Sequence, residues 1–204
     1  GGLLLLARAG GQPLRVPRGQ WPRLILLSAL NIAVWNILII YGLRLMPSGR
    51  AAILGFTMPL WGVLLSRWWL GEPLTARRLL GLGLGLAGLA LLIGSEVRVL
   101  RQAPVGAMLA ILAAIGWAAG TVAMKRWPVA LPTTALTGWQ MLLGSLPIVA
   151  GALLLESGQW HATAPGPALA VLYNMVVVFI GCYWAWFKIV EMVPVGVSAL
   201  STLL

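Results

Sequence analysis

The sequence predicts an all-α, polytopic transmembrane helix bundle, and three observations carry that reading. Six apolar stretches, each near the length that crosses a bilayer, follow one another with short connections. Hydrophobic residues make up 60% of the 204-residue chain and charged residues 9%, with a mean hydropathy of +0.95. That leaves too little polar surface to solvate a globule of this size. Finally, a proline-marked joint between two apolar stretches recurs near the C-terminal end.

The stretches cover 24–43, 51–70, 79–93, 105–124, 134–155 and 168–187. A hydrocarbon core about 30 Å thick takes on the order of 20 helical residues, and most of the stretches qualify outright. The third is the shortest, but it is continuously apolar and carries Gly81, Gly83, Gly85 and Gly88, which suits a closely packed membrane helix. The same glycines resemble a nucleotide-binding loop, yet no strand precedes them and they lie inside an apolar helix. At the N-terminal end, 3–7 is an apolar run too short to span and reads as the last turns of a helix. At the other end an apolar run is still in progress at Leu204. The expectation is an internal fragment of a longer protein.

Charge placement predicts the orientation. With Arg8, Arg15, Arg18 and Arg23 on the cytoplasmic side, each crossing alternates, so Arg67, Arg77, Arg78, Lys125, Arg126 and Lys188 also fall inside. Ten of the 14 basic residues are then cytoplasmic, and only Arg44, Arg50, Arg98 and Arg101 remain outside. This is the excess expected of the positive-inside rule, which counts basic residues and not net charge. A net charge of +10 invites a nucleic-acid reading, but these residues sit at helix ends and form no single hydrophilic patch. No nucleic-acid partner is expected.

Sliding the chain by 147 positions brings Pro47 onto Pro194, Gly49 onto Gly196 and Ala52 onto Ala199. Each follows one apolar stretch and opens the next. The two copies begin five crossings apart, an odd number, so they run in opposite orientations through the membrane. Inverted repeats are a common architecture of secondary transporters, with the substrate site near the midplane. Transport is therefore the leading functional class. The repeat also predicts a proline within a few residues after Leu204, the counterpart of Pro59, and then a Gly-Glu pair.

At 47–75 the chain reads PSGRAAILGFTMPLWGVLLSRWWLGEPLT, followed by RRLLGLGLGLAGLALLIG at 77–94. With its mid-helix Pro59, the Gly71 and Glu72 pair, Thr75 and the glycine-rich helix, this resembles the EamA domain of the drug/metabolite transporter superfamily. The segment GWAAGTVAMKR at 116–126 is similar to the opening helix of an EamA repeat. The resemblance implies ten helices in the full protein, arranged as two inverted five-helix repeats, with about six helices complete here. It divides the chain into a first repeat at 1–94, a linker at 95–104 and a second repeat at 105–204. It also implies a multi-pass protein of the cell inner (plasma) membrane with both termini of the full protein cytoplasmic. The implied activity is efflux or exchange of amino acids, nucleosides, sugars or other small metabolites and drugs, and the implied partners are a small-molecule substrate and the lipid bilayer.

Polar groups inside membrane helices are costly unless they face the bundle interior or a wet cavity, which makes them the substrate-binding candidates. Asn31, Trp35 and Asn36 share one stretch, and Trp117 and Thr121 repeat the four-residue spacing of Asn31 and Trp35 in another. Residues four apart lie on one helix face. Gln140, Asn174 and Tyr183 complete the set. Amide and indole groups orient a ligand by hydrogen bonding, and aromatic faces stack on a planar or cationic one. The competing role is helix glue, in which such groups bond a neighbouring helix at roughly 0.6 kcal/mol on average. Trp35, Trp117 and Tyr183 sit well inside their stretches, whereas Trp21, Trp68, Trp69, Trp127 and Trp160 sit at the ends and read as headgroup anchors. Glu72 is expected to brace its loop against Arg77 or Arg78, Lys188 to pair with Glu191, and Lys125 to snorkel to the interface.

All four acidic residues, Glu72, Glu96, Glu156 and Glu191, lie in or near connections, and there is no aspartate. The chain thus offers no mid-membrane carboxylate for a proton relay. His161, placed outside, is the only histidine and Cys182 the only cysteine. No zinc site or catalytic triad can be assembled from these. No cofactor is expected, and the thiol is read as a packing residue. The alternatives to transport are a polytopic membrane enzyme, which would need acids, bases or metal ligands at one membrane face, and a non-transporting scaffold, which would not need polar groups deep in several helices.

Overall fold

The computed structural model describes residues 1–94, 103–156, 164–195, 197 and 198. Among these the protein is all-α, with no strand. Five segments are long and apolar enough to cross a membrane: Arg18–Leu45, Ser48–Leu70, Pro104–Arg126, Thr133–Leu155 and Pro165–Met192. The stretch predicted at 79–93 lies in a helix of 19 residues, Ala76–Gly94. Trp160, His161, Glu96, Arg98, Arg101, Gly196 and Ala199 lie outside the described residues.

In chain order the helices are α1 (Gly2–Ala9), α2 (Trp21–Ser28), a π-helical segment π1 (Ala29–Val34), α3 (Trp35–Leu45), α4 (Ser48–Gly55), α5 (Met58–Leu70) and α6 (Ala76–Gly94). There follow α7 (Pro104–Arg126), α8 (Thr133–Leu155), α9 (Pro165–Tyr173), a second π segment π2 (Asn174–Cys182) and α10 (Tyr183–Met192). Each π segment interrupts a span and carries side-chain bonds to helix carbonyls at its edges. Ser28 donates to the Leu24 carbonyl at 2.7 Å, Asn36 to the Ile32 carbonyl at 2.8 Å and Asn174 to the Ala170 carbonyl at 2.9 Å. A wider turn leaves carbonyls off the usual ladder, and a short polar side chain satisfies them where no water reaches. Shifted by 147 positions, π1 falls within π2.

The span Ser48–Leu70 breaks at Phe56 and Thr57. Pro59 near the start of α5 has no N–H for the preceding turn and crowds the carbonyl four residues back. The Thr57 hydroxyl takes up the Leu54 carbonyl at 2.7 Å. At the far end of α5, Gly71 adopts the left-handed conformation, φ 69° and ψ 16°. A side chain there costs about 1–2 kcal/mol. Gly71→Ala is therefore expected to lower the thermal unfolding temperature of the purified protein, and Gly71→Asn to lower it less; equal temperatures for all three would show that this turn relaxes freely.

The chain forms two compact units, 1–29 with 129–192, and 30–128 with 193–204. In the second, α7 packs against α3, α4 and α5 through a face of small residues, Ala110, Ala113, Ala114, Gly116 and Gly120, all buried. Small residues let helix backbones approach where no water is available to drive association. Met46, Ala51, Leu54 and Ala110 form a core cluster at one end of this packing. In the first unit α8 packs against α1, α2 and α10. Gly138 makes room there for Leu4, whose side chain lies 2.9 Å from where a Cβ would stand.

Around Gly83 and Gly88 of α6 a Cβ would meet nothing within 4 Å. Close approaches are seen at Gly116, Gly120 and Gly138, where α7 and α8 lie against neighbours.

Candidate functional site

In the second unit the polar and aromatic candidates fall where α7 meets π1 and α3. Asn31 on π1 is fully buried, and Trp35 begins α3. The Trp35 ring stands edge-on to Trp117 of α7, with centroids 5.4 Å apart and planes at 60°. Glycine on α7 makes this possible. A Cβ on Gly116 would lie 2.8 Å from Val34 Cγ1, and one on Gly120 only 2.1 Å from Asn31 Oδ1. Any larger residue would push the amide and the indole pair apart. Thr121, one turn beyond Trp117, is buried, and its hydroxyl donates to the Trp117 carbonyl at 3.0 Å. Asn36 is half-buried and donates to the Ile32 carbonyl of its own span.

In the first unit Gln140 is fully buried on α8. Tyr183 starts α10 and is buried. Its ring stacks on Phe179 at 5.4 Å and 18° and meets Phe187 edge-on at 6.2 Å and 80°. Asn174 is exposed on π2 and donates to a carbonyl of its own helix. Cys182 is exposed as well, so the packing role read for it from its place in a span is not seen.

Sequence reasoning passed over Thr137 and Ser28, both buried. Thr137 donates to the Thr133 carbonyl at 2.7 Å and lies three residues before Gln140, while Ser28 lies three before Asn31. The signal was available, since residues three apart share a helix face and extend each polar line by one turn. Hydroxyls that bond back to their own helix are easily discounted because they are cheap to bury.

The end-placed tryptophans pair up. Trp21 meets Trp139 edge-on at 5.5 Å in the first unit, and Trp69 lies 5.9 Å from Trp127 in the second. Trp68 is 77% exposed, as a headgroup anchor should be. Lys188 pairs with Glu191 at 2.9 Å as the spacing predicts, and the Thr133 hydroxyl donates to the same carboxylate. Two charges reach further than expected. Lys125 donates to the Val193 carbonyl at 2.5 Å, and the Glu72 carboxylate accepts the Val195 N–H at 3.1 Å.

Known proteins give this arrangement a context. The chain is 30% identical over 188 residues to Protein PecM of Dickeya dadantii, covering 86% of this chain and 59% of that protein. It is 32% identical over 166 residues to the uncharacterized transporter YvbV of Bacillus subtilis, covering 78% of the chain and 50% of the relative. A probable amino-acid metabolite efflux pump of Salmonella typhimurium is 29% identical over 150 residues, 69% of this chain and 50% of the pump. The chain thus spans between half and 59% of the length of these three relatives. One protein of solved crystal structure, 22% identical, shares the fold with a TM-score of 0.75 over 99% of this chain and 69% of its own. The sequence profile of the EamA-like transporter family matches residues 1–94 and 104–204, and with nearly every described helix inside those bounds the chain belongs to that family.

Proposed function

We propose that this protein is a secondary transporter that moves small amino-acid-like, nucleoside-like or similar metabolites or drugs, outward or by exchange, through alternating access. The observation that carries the reading is the burial of Asn31 on π1 against Gly120 of α7, on the same pair of spans that bring Trp35 to Trp117, well inside helices long enough to span the bilayer. A buried amide and an indole pair on the same two spans offer hydrogen bonds and a flat apolar wall, which suits a small polar solute with a planar or aliphatic part. Helix cohesion alone does not require that combination. The name of the Salmonella relative, an amino-acid metabolite efflux pump, puts amino-acid-like solutes first among those to try. Reconstituted in vesicles, the intact protein is expected to catalyse saturable counterflow of at least one solute from an amino-acid and nucleoside panel. Movement of none, with no binding to the purified protein, overturns the reading.

Two inverted repeats, at 1–94 and 105–204 joined by 95–104, are part of the proposal. Their support is local and specific. Arg50 N and Ala51 N donate to the Pro47 carbonyl at 3.0 and 3.2 Å. At the same 147-residue offset Val197 N and Ser198 N donate to the Pro194 carbonyl at 3.0 and 3.1 Å.

The proposed orientation places 8–23 in the cytoplasm of a cell whose plasma membrane holds the protein, following the basic residues. A Gly19→Cys variant in a Cys182→Ala background is expected to resist membrane-impermeant maleimide added to intact cells and to react in inverted vesicles. Gly19 has nothing within 4 Å of a Cβ, so the reporter itself is harmless. Labelling from outside would reverse the topology.

A further inference from the structure

The joint at 193–195 is held by two charged side chains from distant parts of its own unit. Lys125, in the last turn of α7, donates to the Val193 carbonyl at 2.5 Å. Glu72, just past the left-handed Gly71, accepts the Val195 N–H at 3.1 Å. The electrostatics fit both ends of the joint. Val193 follows directly on α10, where carbonyls without intrahelical donors carry partial negative charge, and an ammonium is favoured there. Val195 opens the next helical turn, whose Pro194 carbonyl accepts from Val197 N and Ser198 N. Its own N–H points out of that turn, and a carboxylate caps it. Pro194 between them has no N–H, so the hydrogen-bond ladder is interrupted at that residue.

The corresponding joint at Pro47 is seated differently. It lies in the apolar cluster of Met46, Ala51, Leu54 and Ala110, with the Met46 methyl 3.2 Å from where a Cβ on Gly106 would stand. Opening an apolar seat exposes surface at roughly 25 cal/mol per Å². Charged contacts can exchange their partners for water at a small net cost. The joint at Pro194 is buried too, with Val195 and Ser198 at 0% exposure, and it adds these two charged contacts, whose loss on opening is offset by hydration of both charges. Alternation of the crossings places Glu72, Lys125 and 193–195 on one membrane face, the one the basic residues assign to the cytoplasm.

We propose that Glu72 and Lys125 are positioning residues that latch the 193–195 joint closed and release it when the cytoplasmic side opens. The inference rests on the transport reading above. Neither side chain contacts solute in this scheme; they set how often the joint opens.

The test uses the intact protein in inverted vesicles, with Cys182→Ala to remove the exposed native thiol and Ser198→Cys as reporter. Ser198 is fully buried, so its modification by an impermeant maleimide reports release of the turn that Glu72 caps. Glu72→Ala and Lys125→Met are each expected to speed labelling about 10-fold or more, the equilibrium shift that loss of one hydrogen bond to a charged group produces. Glu72→Gln, which keeps an acceptor oxygen, should fall between Glu72→Ala and the parent. In transport the same variants should change turnover while leaving KM near the parent value. Parent-rate labelling in both Glu72→Ala and Lys125→Met overturns the latch, as does a change in KM alone. Faster labelling in a protein that moves no solute in the panel would instead bring down the transport reading and, with it, the release step.

Discussion

Gly120→Ala is expected to be among the most damaging single-methyl changes in the chain, lowering both thermal stability and transport. The added Cβ would stand 2.1 Å from Asn31 Oδ1, 2.7 Å from Asn31 Cγ and 3.1 Å from Leu30 Cβ. Asn31 is fully buried on π1, so the amide cannot swing into open space, and the backbone of π1 or α7 must move. Overpacking of this kind costs typically 1–3 kcal/mol. The displacement also separates the amide from the Trp35 and Trp117 pair, so transport should fall by more than the loss of folded protein accounts for. Gly83→Ala is the control, because a Cβ there meets nothing within 4 Å and alanine favours helix by about 1 kcal/mol. Thermal unfolding in detergent, together with counterflow normalised to folded protein, reads both effects. If Gly120→Ala unfolds and transports like Gly83→Ala, α7 does not lie as close to π1 as described, and the candidate site loses its geometry.

That close approach was only partly legible in the sequence. The helices were legible because membrane spans announce themselves by length and apolarity, and five of the six predicted stretches lie within segments able to cross a membrane. The pairing of Trp35 with Trp117 was approached through the four-residue spacings of Asn31 with Trp35 and of Trp117 with Thr121, which put the right residues on a common face. Which helix each face meets is a long-range fact, and hydropathy periodicity does not encode it. The glycines show the difficulty plainly. Gly83 and Gly88 belong to a denser run than Gly116 and Gly120, yet the latter make the close approach. A glycine is compatible with tight packing, and only the partner opposite decides whether that is used. The π segments were illegible for another reason: one extra residue in a turn leaves composition and hydropathy unchanged, and the side chains that satisfy it, Ser28, Asn36 and Asn174, look like ordinary buried polar residues. Asn174 shows this, since one N–H of its amide goes to the Ala170 carbonyl at the start of π2.

Trp117→Ala and Tyr183→Ala are expected to abolish most transport while the protein still inserts, and Trp68→Ala to leave transport close to the parent. Trp117 and Tyr183 retain only 8% and 9% exposure, against 77% for Trp68. Insertion should survive, because neither residue is needed to make its span apolar enough. Truncating a buried aromatic also removes packing worth about 3–5 kcal/mol, so alanine variants alone would confuse a collapsed helix contact with a lost solute contact. Trp117→Phe and Tyr183→Phe separate the two. Each keeps a ring against its partner, Trp35 in one unit and the Phe179 and Phe187 rings in the other; Tyr183→Phe removes only the hydroxyl, and Trp117→Phe removes the indole N–H with one fused ring. If these groups bind solute, the phenylalanine variants should be nearly as stable as the parent but show a raised KM, since a site built around a hydrogen bond loses that bond with the donor. If the residues are structural, phenylalanine should restore both stability and KM, and only the alanine variants should suffer. In alternating access a central aromatic meets solute in both inward- and outward-facing states, so the raised KM should appear whether counterflow is measured with solute supplied inside or outside the vesicle. Unchanged KM in both phenylalanine variants on both sides would move Trp117 and Tyr183 out of the solute path and leave them as packing between helices.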